Sequence, residues 1–579
     1  MVVVGSGAAG ISVALTAAGA GLRVLMVTKD LIGGATPLAQ GGLAAAIGAG
    51  DSPASHVSDT LTAGAGLCEP DVVASLAAEA PGVIDWLTGL GARLDRRELR
   101  LEGGHSHHRI VHSGDDASGA EVHRALLAAL LASGVEILDR TVALDLILQS
   151  PQVANPDARN AAGGSRVAGL LAGVIGADGR LSTGVIGSPA VVIAAGGLGQ
   201  AFATTSNPAG ATGDGIAIAA RAGAVVRDLE FVQFHPTVLW RPDASGQCPL
   251  ITEALRGAGA VLRDLDGAPL MAGHHPRGDL APRDVVAARM AEVIAAGTAG
   301  HVWLDATGLD PEVLEKGFPT VTAACRKHSI DPVTEYIPVA PGAHYSCGGI
   351  AADLDGRTSI GGLCAVGEAA STGVQGANRL ASNSVTEAVI AGRRAGQAIA
   401  AGLGGSGTGT GPVGYAIDPI SNRSATPSTS PIGVAGVGDR KWVGVAGVGD
   451  RKWAGVGGDE GPAGRAGVAV AMSRWAGVLR DREGLEELVR VIGAGWETGA
   501  GGESPGTVRD DGLGVDLELE AVEEANLRVV SGLIAVGALG RAESRGCHRR
   551  RDAAGTAERP WHTVLRWDGQ ELVVTEEEL

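Results

Sequence analysis

The first ten residues, Met-Val-Val-Val-Gly5-Ser6-Gly7-Ala8-Ala9-Gly10, put Gly5, Gly7 and Gly10 in the G-x-G-x-x-G spacing. The β-branched residues ahead of the glycines fit a buried strand, and the alanine-rich run from Ala8 to Ala18 fits a helix. A strand that turns on glycines into a helix leaves backbone N–H groups free at the helix N-terminus. The helix dipole favours an anion there, which makes a seat for a pyrophosphate. In a chain with 92 glycines the same spacing also arises as a plain turn, so the reading depends on what accompanies it.

Further candidates for chemistry lie along the chain. The loop Gly33-Gly34-Ala35-Thr36-Pro37-Leu38-Ala39-Gln40-Gly41-Gly42 has four glycines and a proline in ten residues, and could lay backbone amides against a ligand. Glu102 opens a segment with histidines at 105, 107, 108 and 112. No carboxylate or thiol at ligand spacing accompanies them, so a polar loop lining a cleft is a better reading than a metal site. Asp214 stands between two glycines at the start of an alanine-rich stretch, where it can accept from backbone amides as an N-cap or from a ligand hydroxyl. From Phe231 to His344 the chain turns rich in His, Arg, Asp and Pro, which suggests an inserted domain.

The elements around these residues give a coarse frame. A second strand, Arg23 to Thr28, ends in Thr28-Lys29-Asp30, so the acid that often holds a ribose hydroxyl is absent or displaced. That counts against a plain nicotinamide site and leaves a flavin adenine dinucleotide open. Helix is expected from Asp71 to Leu90, strand over Val135–Leu148, and strand into a glycine turn at Val191–Gly199. Helical material is expected again from Val468 to Arg480, Leu485 to Ile492 and about Leu517 to Leu539, with an acidic tail at the end. Residues 402–463 are Gly/Ser/Thr/Pro-rich and contain an eleven-residue unit twice, Ile432–Trp442 and Val443–Trp453. This stretch is expected to be a disordered linker.

Composition narrows the function classes. A net charge of −18 argues against nucleic acid as a partner but not against a small anion bound in a local field. Six scattered cysteines without a C-x-x-C pair fit a reducing cytoplasm rather than a disulfide framework. The uncharged first 22 residues lack a basic n-region, and no apolar run is a convincing membrane span. The strand ahead of Gly5 is short, so a start a few residues earlier is expected.

Taken together, the motifs resemble the flavoproteins of the succinate dehydrogenase and fumarate reductase family, and within it the L-aspartate oxidases. They are, in order, GSGAAG (5–10), AQGG (39–42), EGGHSH (102–107), NPAGATGDG (207–215), QFHPT (233–237), APRD (281–284), PGAHYSCGG (341–349), GANRLASNS (376–384) and ESRGCH (543–548). The resemblance implies an α/β fold: a Rossmann-like FAD-binding domain (1–228 and 346–401), an inserted α+β capping domain (229–345) and a C-terminal helical domain (464–579).

It also implies roles. Gly5, Ser6, Gly7, Ala8, Ala9 and Gly10 would hold the FAD pyrophosphate. Lys29, the loop Ala35, Thr36, Pro37, Leu38, Ala39, Gln40, Gly41 and Gly42, and Val142, Ala143, Asp214, Glu368, Ser384 and Val385 would contact the cofactor. Succinate dehydrogenases tether the flavin to a histidine in this loop. Ala35-Thr36 stands there instead, which implies non-covalent FAD. His235, Thr252, His344 and Arg379 would clamp the carboxylates of a small dicarboxylate such as L-aspartate or fumarate, with Arg283 beside the reacting carbons. Arginine forks and histidine donors suit that task. Glu102 would read the substrate's ammonium group.

The implied reaction moves hydride from Cα of aspartate to the flavin, giving iminoaspartate at the first step of quinolinate and NAD biosynthesis. Oxygen, yielding hydrogen peroxide, or fumarate would be the acceptor, and quinolinate synthase would receive the product. Guanidinium is a poor base, so Arg283 is expected to stabilise charge and donate a proton in the fumarate direction. The alternatives are a soluble fumarate reductase or succinate dehydrogenase flavoprotein, and a flavin-binding relative without catalysis.

Overall fold

The computed structural model describes residues 1–114, 117–149, 165–242, 245–404, 415–416, 464–497, 517–567 and 572–579. Val2–Val4, fully buried, is the middle strand of a five-stranded parallel sheet. The order across the sheet is Leu363–Ala365, Val191–Ile193, Val2–Val4, Leu25–Val27, Glu136–Leu138. Strands buried on both faces must be apolar throughout, and short Val/Ile/Leu runs meet that need. The helix Ala8–Gly19 follows the middle strand directly and packs on the long helix Asn383–Gly404. That contact is close because Gly392 and Gly396 carry no Cβ; one added at Gly392 would stand 2.5 Å from Ala9 O.

A second sheet belongs to the inserted region. Val232–Leu239 pairs antiparallel with Ile337–Ser346, which continues to Val302–Asp305 and Val261–Arg263. Leu239, Leu255, Leu262, Met290, Val302 and Leu304 belong to a separate apolar core beneath it. Thr141–Gln149, Arg166–Ile175 and Leu181–Gly187 form a further antiparallel sheet beside the parallel one.

The C-terminal region has helices Gly464–Trp475, Arg482–Glu497 and Leu519–Gly540. Two expectations need correction here. Helix does not run on to Arg480: it ends at Trp475, and Leu479–Arg480 pairs in parallel with Arg549–Arg550. The buried Arg480 guanidinium donates to Gly477 O and Glu230 O there, contacts that an exposed helix end would not give. The acidic end is not a free tail either. Leu572–Glu578 pairs antiparallel with Trp561–Trp567, which joins Val226–Arg227 and so ties the end of the chain to the middle. The expected linker lies outside the described residues, except for 402–404 at the end of a helix and the strand pair 415–416. No helix among the described residues is long and apolar enough to cross a membrane.

The C-terminal region is fastened by a buried ion network. Arg541, fully buried, donates to Glu230 at 2.7 Å, Glu543 at 2.8 Å and Thr563 at 2.9 Å, and stacks on Phe231 and Trp561. Removing one partner from such a pair leaves an uncompensated buried charge. Arg541→Met should lower stability by about 3–5 kcal/mol, read as a fall in the urea midpoint; a change near zero would show that the network holds nothing.

Candidate active site

One continuous cavity runs from the glycine turn at the N-terminus, past the parallel sheet, to the inserted region. At its first end the chain leaves the middle strand at Gly5, whose φ of +108° suits glycine. A Cβ at Gly5 would lie 2.3 Å from Ala194 O, and one at Gly10 would lie 2.0 Å from Gly5 O. The glycines are therefore needed for close backbone approach. Gly7 caps the helix without a side-chain bond. Ala8 N–H donates to Thr36 Oγ1 at 3.0 Å, which fixes the second glycine loop against the first. The remaining first-turn N–H groups have no partner within the helix. Ser6 Oγ and Thr28 Oγ1 are 2.9 Å apart. Asp30 turns back to accept from the Ile32 and Gly33 amides, which accounts for the displaced acid after the second strand.

Beside this seat Lys29 Nζ is held by Asp214 at 2.7 Å and by Glu523 of the C-terminal region at 2.6 Å. Asp214 begins its helix but does not cap it; Gly213, in the left-handed region, is the cap. Asp214 instead accepts from Lys29, Thr212 and Asn526. Val142, Ala143, Ser384 and Val385 also line the cavity, and Ser384 Oγ accepts from Arg379 Nη1 at 3.2 Å. Glu368, half-buried in the cavity wall, accepts from Ser346 N–H at 3.1 Å, and burial pushes its carboxyl up to about 7. Two expected contacts do not line the cavity. Gly10 acts behind the wall through its approach to Gly5, and Pro37 sits in the short helix Thr36–Leu38.

The far end brings Glu102, His235, Thr252, Arg283, His344 and Arg379 to the same cavity. Arg283 heads the helix Arg283–Ala296, and Nε donates to Glu253 Oε2 at 2.7 Å. Gln233 Oε1 accepts from Arg283 Nη1 at 3.2 Å and from Arg379 Nη2 at 3.1 Å. Arg379 lies over the Tyr345 ring at 4.8 Å, and its Nε is buried without a partner. Burial and the neighbouring Arg283 charge push Arg379 down to about 10.

His235 Nδ1 accepts from Thr237 N–H at 3.2 Å, so the ring proton sits on Nε2 as a donor. His344 Nδ1 contacts Ser206 Oγ at 2.7 Å, and the two rings meet edge to face at 5.2 Å. Burial, and then the arginines, hold both histidines well below their usual range, so they are neutral donors at pH 7. Burial opposes ionisation of Glu253, but Arg283 and Arg256 outweigh it and hold its carboxyl low. Burial raises Glu102, against a bond from Ser382 Oγ at 2.6 Å and the charge of Arg283.

Of the residues 102–112, only Glu102 reaches the cavity. His105 is buried against Ala381 O at 2.9 Å, and Arg109 is buried between Asp51 and Asp59. His105 thus supports the loop, and none of the four histidines lines the cavity. Among the described residues no group of three His, Cys, Asp or Glu is placed to hold a metal. Sequence reasoning passed over Glu253, Gln233 and Ser382. Each stands within a quoted motif or beside Thr252, and that position was the available signal.

Residues 1–385 match the family model described as FAD binding domain, and 465–578 the one described as fumarate reductase flavoprotein C-term. The chain is 41% identical over 575 residues to L-aspartate oxidase of Streptomyces coelicolor, covering 98% of this chain and 91% of that protein. It is 42% identical over 558 residues to L-aspartate oxidase of Mycobacterium bovis, covering 95% and 92%. The chain belongs to the L-aspartate oxidase family.

Among solved structures, this chain is similar to a quinol–fumarate reductase with menaquinol, at TM-score 0.80 and 28% identity, covering 100% of this chain and 97% of that one. E. coli quinol fumarate reductase matches at TM-score 0.78 and 26% identity, covering 100% and 96%. FAD is the cofactor of this family member. The glycine cradle, the helix N-terminus and the buried, unpartnered Gln40 Oε1 in the cavity wall fit a phosphate-bearing, hydrogen-bonding cofactor.

Glu368 offers a pH test. Its folded pKa of about 7 lies above the ordinary 4.5, so its stabilising proton is fully bound below about pH 4.5 and is lost as pH rises through about 7. In FAD-free protein, wild type should lose Tm relative to Glu368→Gln between about pH 5 and 8. Parallel Tm curves would show that Glu368 is not the titrating group.

Proposed function

We propose that the cavity binds FAD without a covalent link and oxidises L-aspartate to iminoaspartate, the first step of quinolinate and NAD biosynthesis. The observation that carries this reading is a second carboxylate, Glu102, at the end of the cavity that holds Arg283 and Arg379, where Glu253 is already bonded to Arg283 and Glu102 is bonded to the Ser382 hydroxyl. With the histidines neutral, the cations at this end of the cavity are Arg283 and Arg379, and Glu253 is shared between Arg283 and Arg256. Aspartate in its ordinary ionic form carries two carboxylates and one ammonium, and so one net negative charge. A dicarboxylate without the amine would bring Glu102 no cation and leave it with the Ser382 hydroxyl alone, which is costly for a buried carboxylate.

Arg379 and His344 form one carboxylate clamp in this reading, and His235 and Thr252 the other. His235 presents Nε2–H, and Arg379 its free Nε–H. Arg283, held by Glu253 and Gln233, offsets negative charge beside the reacting carbons and donates a proton when fumarate is reduced. Glu102 orients the amino group, which must lose a proton before its lone pair can form the C=N bond. Bound FAD supplies the two-electron acceptor for the Cα hydride. Gly5, Ser6, Gly7, Ala8 and Ala9, the loop 35–42 apart from Pro37, Lys29, Val142, Ala143, Asp214, Glu368, Ser384 and Val385 would hold it, with Gly10 shaping the turn from behind. Ala35 in place of a tethering histidine supports the non-covalent link.

The proposed division of labour gives FAD to 1–228 and 346–401, the substrate cap to 229–345, and packing of both to 464–579. Oxygen, giving hydrogen peroxide, is the proposed acceptor, in keeping with relatives named oxidases. Fumarate would serve as the alternative, and iminoaspartate would pass to quinolinate synthase. Six buried cysteines, all free, support a reducing cytoplasm.

FAD-loaded protein should release peroxide with L-aspartate, and a folded, yellow protein that releases none would contradict the reading. Glu102→Gln should lower kcat/KM for aspartate by about ten- to a hundredfold, the scale of a lost charged hydrogen bond, while fumarate reduction stays within about threefold. An equal fall in both would show that Glu102 does not read the amine.

A further inference from the structure

We infer that Ser382 is a positioning residue that presents the Glu102 carboxylate to the substrate's ammonium group, and so sets selectivity for amino dicarboxylates. The inference rests on the reading of Glu102 given above. Ser382 is buried, lines the cavity and holds φ at +61°, a left-handed conformation costly for a residue with a side chain. Both flanks are pinned. Ala381 O meets His105 Nε2 at 2.9 Å, and Asn383 Oδ1 meets His56 Nε2 at 2.8 Å. The Asn383 amide also donates to Thr60 Oγ1 at 3.1 Å, and Ser382 O accepts from Ala44 N–H at 3.0 Å. This surrounding structure fixes a strained residue between the 35–42 loop and Glu102.

Donor counting gives the hydroxyl a direction. Ser382 Oγ accepts from Gly42 N–H at 3.1 Å, and its own hydrogen is then available for Glu102 Oε2 at 2.6 Å. A serine hydroxyl has one hydrogen to give, and an ionised carboxylate can only accept. A protonated Glu102 would compete to donate into the same contact and leave the serine hydrogen without that acceptor. The Gly42–Ser382–Glu102 chain therefore favours the carboxylate, against the burial that favours the acid. Room for it depends on Gly41, where a Cβ would stand 3.0 Å from both Glu102 Oε1 and Ser382 Oγ. The charged groups facing Glu102 are Arg283, Arg379 and Glu253. An uncharged Glu102 would leave the two arginines to repel the incoming ammonium.

The test uses FAD-loaded Ser382→Ala and Ser382→Gly. Glycine suits a positive φ, so the second variant removes the hydroxyl without adding strain. Three quantities are read: KM and kcat for L-aspartate, the pH profile of kcat/KM, and the Kd of succinate from the flavin absorbance change. Both variants should raise KM for aspartate by about tenfold or more, and the acid limb of the profile should move to higher pH. Succinate affinity should stay within about threefold of wild type. Equal weakening of aspartate and succinate, or an unmoved acid limb with unchanged KM, would overturn the role of Ser382. Glu102→Gln separates the two levels. If it keeps wild-type preference for aspartate over succinate, the reading of Glu102 itself fails; if it loses that preference while both Ser382 variants keep it, only the present inference fails.

Discussion

Two guanidiniums share one amide oxygen at the centre of this protein. Gln233 Oε1 accepts from both Arg283 and Arg379, and its Nε2 is committed to Asn378 Oδ1 at 2.7 Å and Arg379 O at 2.8 Å. The amide therefore cannot turn away. Like charges held together out of water repel strongly, and only Arg283 has a carboxylate of its own, Glu253. Arg379 has besides only the neutral Ser384 hydroxyl and an aromatic face, and its Nε–H is free. Such a pair is stable in waiting for an anion, and the surrounding elements serve to hold it. Gln233 comes from the strand Val232–Leu239, Arg283 from the head of a helix, and Arg379 from the segment before the long helix Asn383–Gly404.

Much of this was legible in residue types and spacing. The G-x-G-x-x-G run could be placed because glycine spacing and a β-branched strand are local signals; the clash distances at Gly5 and Gly10 give them their physical reason. The helix expected at Asp71–Leu90 occurs as Pro70–Gly89, since apolar periodicity is also local. What the sequence hid were partners far apart in the chain. Glu253 stands next to a named residue, yet nothing local says that it faces Arg283, thirty positions on. The histidines after Glu102 looked like a cleft lining because four polar rings in eight residues suggest exposure. His105 is instead buried on Ala381 O, next to the Asp51/Asp59–Arg109 cluster, and His108 points to solvent, so none of the four lines the cavity.

The C-terminal region shows the same limit in a second form. Its helices were readable, but the hairpin Trp561–Trp567 with Leu572–Glu578 was hidden by a glutamate run that reads as tail. Its contribution to the cofactor end was not visible at all. Glu523 meets Lys29 across 494 positions, and Asn526 meets Asp214 across 312. Charge pairing between chain ends depends on the finished fold, so local propensity carries no trace of it.

The central claim is that the charged end of the cavity reads two carboxylates and one amine at once. A crystal structure of the FAD-loaded protein with L-aspartate, held without oxygen, measures this directly. The expected result is the ammonium group on Glu102, one carboxylate on Arg379 and His344, and the other on His235 and Thr252. An aspartate bound with its ammonium turned away from Glu102, or lying outside the Arg283–Arg379 pair, would contradict it.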